Sequence, residues 1–453
     1  MRADIPAGSG VNVIGYVSSN SGLGVSARQI TKLLLDKGYP IAVLDLEPGA
    51  GRGRHDLSFD SYAVGSGEDL RYGINLVVLA VPSLPSFFLE PPAVLPGHNS
   101  SLPGFEYWLD GARLNVAVVW WELGVLPDLW IRALELFDVV VGPSPFIQAT
   151  LEAHLSNTAI IPAIHPFDLP HGIEPSRSRF GLPDDAVLFE TSFEPSSDPE
   201  RKNPFAVIDA FQRAFPNDAR ANLVVKLNNS RTANDRLRAV LKRLRERCAG
   251  DGRIRVIDDT LSYSEVLCLH ASCDVFVSLH RSEGLGFGLM EAMSLGKPII
   301  ATGWSGNMAF MDHTNSCLVR YKLIPVRATV DVYTEDVLGK TAMWADPDLD
   351  EAAAWMKKLV DDPEQRLALG RRAASDMAGF QQKARKAEFL DEMEAIRRND
   401  SFLTNRALAS KLTSLQSLRQ AMVQQQESVL PYWRRSARRL RRSADRHLLW
   451  RFR

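Results

Sequence analysis

The sequence predicts an α/β protein with two domains, each containing a β-sheet with helices packed against it. Three observations lead to this prediction. Short apolar runs of strand length alternate with amphipathic helical stretches along most of the chain. The 453 residues are too many for one ordinary core and suit two α/β domains with additional segments. Residues 159–185, rich in Pro, His and Gly, interrupt the pattern as an interdomain linker would, and the alternation resumes at residue 186.

The composition is typical of a soluble globular protein, with 45% hydrophobic and 24% charged residues. The net charge of −1 is unevenly distributed, because residues 431–453 contain nine arginines and a single acidic residue, Asp445. We expect a reducing cytoplasmic location, since no signal peptide is evident and the cysteines lack disulfide or metal spacing. The longest apolar runs have the length of strands, so no membrane span is expected. The four cysteines are Cys248, Cys268, Cys273 and Cys317.

The first half begins with a predicted strand at 11–17, followed by a loop that contains Gly22 and Gly24 and by a helix from residue 30. Glycines at these positions would let the first strand-to-helix turn approach a ligand, and an ordinary tight turn explains them equally well. Further strands are predicted at 41–46 and 74–81, and a loop rich in Pro, Gly and Ser follows at 84–106.

Residues 114–155 form a strand–helix–strand–helix pattern in which the first strand ends with Trp120, Trp121 and Glu122. Ser144 opens the last of these helices and is predicted to be its N-cap. A strand end with two tryptophans and a carboxylate can stack on and hydrogen-bond a sugar. Burial of one or both tryptophans in the core is at least as simple an explanation.

Residues 280–311 carry the most specific pattern in the chain. A predicted strand at 273–279 is followed by a loop with glycines at 284, 286 and 288, an amphipathic helix, a second strand and a second glycine-bearing loop. Such a loop lies at the carboxyl end of a strand, where open α/β sheets bind ligands, and the helix start offers free N–H groups to phosphate. Glu283 and Glu291 frame this turn with seven residues between them.

Basic residues precede another predicted helix in the second half. Arg201 and Lys202 come just before a helix that begins near Asn203 and Pro204, and two cations beside a helix N-terminus make an anion site. A solvated basic turn is the alternative. Lys226 ends a predicted strand at 222–229, and a solvated lysine there is an equally good explanation.

The two glutamates and their glycine loop resemble the Glu-x7-Glu signature of family 4, the retaining nucleotide-sugar glycosyltransferases. That family has two Rossmann-like domains facing a central cleft, the GT-B architecture. Its run is usually Glu-Gly-Phe-Gly-Leu, and here Phe and Leu are exchanged. The Trp-Trp-Glu strand end is similar to a bacterial polysaccharide-type subgroup. The resemblance covers most of residues 10–398.

The resemblance implies an N-terminal acceptor-side domain at 1–170 and a donor domain at 171–380. It also implies a helix at 381–398 that crosses back onto the first domain, and it leaves 399–453 as a helical basic tail. This tail mixes arginines with leucines and aromatic residues, which suits an amphipathic helix on an anionic membrane. A disordered basic tail or a partner-binding segment is an equal alternative. Nucleic-acid binding is not expected, because no recognised module accompanies the charge.

The resemblance also implies roles for individual residues. Where the family often has Gly-Gly-x-x-Glu this chain lacks the glutamate, so contacts from the second glycine loop would replace it. A histidine before the first glutamate would reach the donor or be structural. The implied catalytic residues are Glu283, Arg201 and Lys202; the donor-binding residues are Gly284, Leu285, Gly286, Phe287, Glu291, Lys226, Ser305 and Asn307; the acceptor-side candidates are Gly22, Gly24, Glu122 and His280.

The implied activity is transfer of a sugar from a nucleotide-diphosphate sugar to a glycan or lipid-linked acceptor, in polysaccharide synthesis at the inner face of the cytoplasmic membrane. No cofactor is implied, and no metal is expected because an Asp-x-Asp motif is missing. A non-catalytic nucleotide-sugar or glycan-binding protein of the same fold remains an alternative, as does a nucleotide-sugar hydrolase or epimerase. The nucleotide, sugar and acceptor stay open.

Overall fold

The computed structural model describes residues 10–46, 55–89, 94–95, 113–156, 158–230, 234–399, 415–418 and 420. In these residues the chain forms two α/β domains, each built on a largely parallel sheet. The prediction of two such domains is confirmed. The first sheet uses strands between residues 11 and 162, and the second uses strands between residues 187 and 319.

In the described residues the first sheet has seven strands, in the spatial order β4-β2-β1-β3-β5-β6-β7. Neighbouring strands are parallel except for β4, which pairs antiparallel with β2. Every residue of β1, β2, β5 and β6 is buried, as expected for parallel strands covered on both faces. The strands are β1 (Val11–Gly15), β2 (Ile41–Leu46), β3 (Ile74–Ala80), β4 (Val94–Leu95), β5 (Leu114–Trp120), β6 (Val139–Gly142) and β7 (Ala159–Pro162).

The helices of the first domain are α1 (Gly22–Asp36), α2 (Leu84–Leu89), α3 (Asp128–Leu134) and α4 (Pro145–His154). Three predictions need correction. Helix α1 begins at Gly22 rather than at residue 30, because the Ser21 hydroxyl caps it by accepting a hydrogen bond from the Gly24 N–H at 3.3 Å. Residues 84–89 are helical rather than part of a loop, and the predicted linker begins only after β7. The Ser144 cap is confirmed.

The second sheet has six parallel strands in the described residues, in the order β10-β9-β8-β11-β12-β13. An antiparallel pair, β14 (Tyr321–Pro325) and β15 (Met343–Pro347), follows it with the short α10 (Glu335–Leu338) between them. The sheet strands are β8 (Val187–Phe193), β9 (Ala221–Leu227), β10 (Ile254–Ile257), β11 (Val275–Ser278), β12 (Ile299–Thr302) and β13 (Cys317–Val319). The helices are α5 (Pro199–Lys202), α6 (Pro204–Ala214), α7 (Asp235–Ala249), α8 (Tyr263–Ser272), α9 (Phe287–Ser294) and α11 (Leu349–Asp361).

The chain returns to the first domain near its end. The long helix α12 (Pro363–Ala384) is followed by Ala387, which has a φ of 61°, and by α13 (Glu388–Arg397). Phe389, Leu390 and Met393 of α13 pack into the core of the first sheet. The segment predicted as one crossover helix at 381–398 therefore contains the end of α12 and all of α13, and the helix on the first domain begins at Glu388.

A short part of the tail is also described. Leu415 and Leu418 are buried in the same apolar cluster as Trp130 of α3, and Arg132 of α3 donates a hydrogen bond to the Ser417 hydroxyl. The basic segment 431–453 lies outside the described residues. None of the helices in the described part of the chain is long and apolar enough to cross a lipid bilayer.

Candidate active site at the domain interface

Strands β8 and β11 are neighbours in the second sheet, and the strand order reverses between them. Loops leaving two such strands run in opposite directions and open a crevice at their carboxyl ends, where open α/β sheets bind ligands. The chain after β8 leads to α5, and the chain after β11 leads to the first glycine loop and α9. Sheet topology therefore brings the basic pair of α5 to the glycine loop.

Glu283 lies at the centre of this crevice and is 8% exposed. Its Oε1 accepts a hydrogen bond from the Lys202 ammonium at 2.5 Å, and its Oε2 lies 3.4 Å from Arg201 Nη1. Burial alone would raise the pKa of this carboxyl, but the two cations outweigh burial and lower the pKa to about 2. Burial lowers the pKa of Lys202, and Glu283 opposes that change. The site therefore contains an ionised carboxylate at neutral pH.

Arg201 is enclosed by hydrogen-bond acceptors. Its Nε donates to the Ser197 carbonyl at 3.0 Å, its Nη1 donates to the Ser282 carbonyl at 2.8 Å, and its Nη2 lies 3.4 Å from a Glu122 oxygen. Its side chain is only 3% exposed, whereas that of Lys202 is 21% exposed. Of the two adjacent cations, Lys202 is the one accessible to a ligand, and Arg201 holds the surrounding loops and both domains together.

Glu122 reaches this cluster from the first domain. Its Oε2 accepts a hydrogen bond from the Tyr333 hydroxyl at 2.9 Å, and its backbone carbonyl accepts one from the Ser282 hydroxyl. Trp121 stacks on the Tyr333 ring with centroids 5.4 Å apart and planes 8° apart. Trp121 is 2% exposed and Trp120 is 8% exposed, so both tryptophans belong to the core, as the second alternative from sequence held.

The first glycine loop packs directly against the first domain. The Ser144 hydroxyl, at the start of α4, donates to the Gly284 carbonyl at 2.6 Å. Gly286 precedes α9 with a φ of 99°, a conformation that glycine adopts without strain. A Cβ on Gly306 would lie 2.0 Å from the Gly284 carbonyl oxygen, and the Gly306 N–H donates to the Glu283 carbonyl at 2.9 Å. The two glycine loops thus interlock.

The second glycine loop orders the residues beneath it. The Ser305 hydroxyl accepts a hydrogen bond from the Glu283 N–H at 2.8 Å. His280 is fully buried, and its Nε2 lies 3.1 Å from Asn307 Oδ1 and 3.3 Å from the Trp304 carbonyl. Burial lowers the pKa of His280, which makes it a neutral donor to these two oxygens. His280 and Asn307 therefore brace the loop from inside.

Other predicted residues lie at the boundary between the domains. Leu285 is buried, and the Phe287 ring lies 5.3 Å from that of Trp120. Gly22 faces the same phenyl ring from the first domain, since a Cβ there would lie 3.9 Å from it. Gly24 is packed against its own loop, where a Cβ would lie 2.1 Å from the Ser19 carbonyl oxygen. Of the two N-terminal glycines, Gly22 is the one that lies against Phe287, the first residue of α9.

Lys226 is fully buried near the end of β9. Its ammonium donates to the backbone carbonyls of Leu227 and of Asp259, the latter at 2.9 Å. Burial lowers its pKa to about 8. In this position it joins the ends of β9 and β10 rather than presenting its charge to solvent.

Glu291, on α9, contacts residues that sequence reasoning missed. His270 of α8 places its Nε2 3.4 Å from Glu291 Oε2 and its Nδ1 2.8 Å from Glu190 Oε1 of β8. No motif marks either partner, and the one signal is a histidine within an otherwise apolar helical run. Tyr333 was also missed, because it lies in a segment without periodicity.

In the described part of the chain, no three His, Cys, Asp or Glu side chains form a metal site, and metal independence stays a prediction.

A known protein family matches the part of the chain that contains Lys202 and Glu283. Residues 198–331 match the family model described as glycosyl transferases group 1. Within that range lie Arg201, Lys202, Glu283 and Glu291. The sulfoquinovosyl transferase SQD2 of Arabidopsis thaliana is 29% identical over 142 residues, 31% of this chain and 24% of that protein. The match thus spans about a quarter of that relative.

Three solved structures share the fold. HepE (Alr3699) of Anabaena, in complex with UDP and glucose, is 15% identical with a TM-score of 0.54 over 85% of this chain and 100% of that one. Sucrose-phosphate synthase from Thermosynechococcus elongatus is 14% identical with a TM-score of 0.56, covering 86% and 99%. The α,α-trehalose 6-phosphate synthase from Burkholderia multivorans is 12% identical with a TM-score of 0.57, covering 88% and 99%.

The comparisons show the fold of the chain and the family that one of its domains resembles. The chain has the GT-B fold, which confirms the predicted architecture, and residues 198–331 of its second half are similar to the glycosyl transferases of group 1.

Proposed function

We propose that the chain is a retaining glycosyltransferase that moves a sugar from a nucleotide-diphosphate sugar to a glycan or lipid-linked acceptor. The contact between Lys202 and Glu283, at the point where the strand order reverses and within the matched range, carries this proposal. An accessible cation paired with the glutamate that precedes the first glycine loop, together with the helix start that follows this loop, suits a diphosphate. An ionised carboxylate beside it accepts hydrogen bonds from sugar hydroxyls.

Leaving-group stabilisation is the chemical task of this arrangement. The nucleotide diphosphate gains negative charge as its bond to the sugar breaks, and Lys202 with the free N–H groups at the start of α9 is positioned to stabilise that charge. Arg201 acts indirectly, because it holds the Ser282 carbonyl and the Glu283 carboxylate in place. We keep the expectation of metal-independent transfer with retention by front-face attack, as the resemblance implies.

Glu291 is proposed to bind the ribose of the donor. It lies in α9, one turn beyond the glycine loop, and a carboxylate accepts hydrogen bonds from both hydroxyls of a cis-diol. HepE was solved with UDP and glucose, so uridine donors are the first to test.

The proposed setting is polysaccharide synthesis in the cytoplasm, with residues 431–453 on the anionic inner face of the cytoplasmic membrane. The nine arginines of that segment support electrostatic attraction to acidic lipid. Leu415 and Leu418, which precede that segment in the sequence, are buried in the same apolar cluster as Trp130 of the first domain.

Thermal melting with UDP-, GDP- and ADP-sugars tests the donor site. A ligand that binds only the folded protein, present at one hundred times its dissociation constant, stabilises it by about 2.7 kcal/mol. We expect one nucleotide to raise the melting temperature, and Lys202→Ala and Glu291→Ala to abolish the shift. Lys242→Ala, which removes a 77% exposed lysine of α7, is the matched control and should keep it.

Each other outcome separates the alternatives. No shift with any nucleotide would refute the donor site. A shift without transfer to any acceptor favours the non-catalytic binding protein, whereas release of free sugar or a changed sugar configuration identifies a hydrolase or an epimerase.

A further inference from the structure

Three buried ionisable side chains meet beneath α9, outside the Lys202–Glu283 cluster. His270 of α8 lies between Glu190 of β8 and Glu291 of α9, with ring-to-carboxylate distances of 2.8 and 3.4 Å. The side chains of His270 and Glu190 are each 1% exposed, and that of Glu291 is 8% exposed. The Phe276 ring packs edge-on against the imidazole at 5.2 Å. The imidazole therefore joins two carboxylates across three secondary-structure elements.

The contacts on both ring nitrogens determine the state of this imidazole. A neutral ring has one N–H donor and one bare nitrogen, and the bare nitrogen would face a carboxylate oxygen without a proton between them. Burial by itself would lower the pKa of His270, but Glu190 and Glu291 outweigh burial and raise it to about 10. His270 is thus an imidazolium that donates a hydrogen bond to Glu190 through Nδ1 and forms an ion pair with Glu291 through Nε2.

The buried negative charge of Glu190 is balanced by His270. Its second carboxylate oxygen, Oε2, is buried without a hydrogen-bond partner in the described part of the chain. A buried carboxylate requires an opposite charge beside it, and His270 supplies that charge. Because β8 is a central strand of the second sheet, Glu190 anchors the imidazolium to the middle of that sheet.

We infer that His270, anchored by Glu190, is a positioning residue that fixes the Glu291 carboxylate for recognition of the donor ribose. A glutamate side chain has three rotatable bonds, and holding it in its binding rotamer before the ligand arrives removes an entropic cost of association. The inference rests on the proposed function, because it assigns a selectivity device to the proposed ribose site.

Ribose selectivity is the property that tests this inference. The probes are UDP, GDP and ADP, each compared with its 2′-deoxy form by calorimetric titration. We expect the wild-type chain to bind one ribonucleotide about ten- to a hundredfold more tightly than its deoxy form, because a hydroxyl donates to a charged acceptor. His270→Gln should reduce that ratio to below about threefold with little change in affinity for the deoxynucleotide.

A lower affinity ratio with an unchanged affinity for the deoxynucleotide distinguishes a positioning role of His270 from a general role in stabilising the fold. A merely structural loss would weaken the binding of both nucleotides alike and leave their ratio unchanged. His154→Gln, on α4 of the first domain, is the matched histidine control and should keep the wild-type ratio. Glu190→Gln retains an acceptor for Nδ1–H but removes its charge, so it should lower the ratio by about threefold and serves if His270→Gln does not fold.

The two possible failures are separable. A wild-type ratio that persists in both His270→Gln and Glu190→Gln would overturn the inference and leave the donor site standing. Absence of binding of any nucleoside diphosphate to the wild-type chain would overturn the proposed function together with the inference.

Discussion

Replacing Glu283 with glutamine isolates the electrostatic stabilisation within the proposed donor site. In the folded protein the pKa of Glu283 is lowered from 4.5 to about 2, because Lys202 and Arg201 outweigh the effect of burial. A carboxyl group with a lowered folded-state pKa stabilises the protein above its unfolded pKa and loses that contribution as the pH falls. The difference corresponds to about 3 kcal/mol at pH 7.

Urea unfolding of the wild type and Glu283→Gln across a pH series measures this contribution. The gap between their free energies of unfolding should narrow by about 1 kcal/mol from pH 7 to pH 4, and most of the rest should disappear between about pH 4 and pH 2. Glutamine retains the shape of the side chain and one acceptor oxygen but does not titrate. The narrowing of the gap therefore reports the charge of Glu283 alone.

The Lys202→Met background tests the cause. Lys202 lowers the pKa of Glu283 more than Arg201 does. We therefore compare Lys202→Met with the double variant Lys202→Met/Glu283→Gln. As the pH falls, the difference between their free energies of unfolding should decrease less than the difference between the wild type and Glu283→Gln. Parallel stability curves for the wild type and Glu283→Gln over the whole series would refute the reasoning, because they would mean that the carboxyl has the same pKa in the folded and unfolded chains.

Two further predictions concern contacts that hold the site together. A double-mutant cycle of Glu122→Gln and Tyr333→Phe should give a coupling free energy of about 0.5–3 kcal/mol in urea unfolding. The reason is that the two side chains share a hydrogen bond across the domains. Purely additive effects of the two substitutions would contradict this contact. Gly306→Ala should abolish donor-induced melting shifts, because its new Cβ would lie 2.0 Å from the Gly284 carbonyl oxygen. Gly252→Ala, where no atom lies within 4 Å of the new Cβ, should bind donors normally, and normal binding by Gly306→Ala would show that the loops can separate.

Much of the fold was predictable because buried parallel strands are nearly continuous apolar runs. Strand β3 is such a run, and its prediction was confirmed to within one residue. The errors have local causes. β7 is a short strand at the sheet edge, buried at only one of its four positions, so it resembled a linker. The start of α1 was missed because two glycines in its first turn suggested a loop.

Only those residues of the candidate site that belong to local sequence motifs were predicted. Spacing and resemblance selected Lys202 and Glu283, which lie 81 residues apart in sequence and form an ion pair. The same reasoning placed Arg201 with Lys202 among the catalytic residues. Arg201 is the less exposed of the two, and one of its acceptors is Glu122, which the first domain contributes.

The sequence by itself determined which segments become strands and helices and which turn carries the glycines, because burial patterns and backbone requirements are local properties. Tertiary structure alone decided the partners of the charged groups. Glu291 owes its partner to the packing of α8 on α9, and His270 owes its second carboxylate to β8, 80 residues away. Electrostatic interactions act through space, and only the folded chain sets those distances.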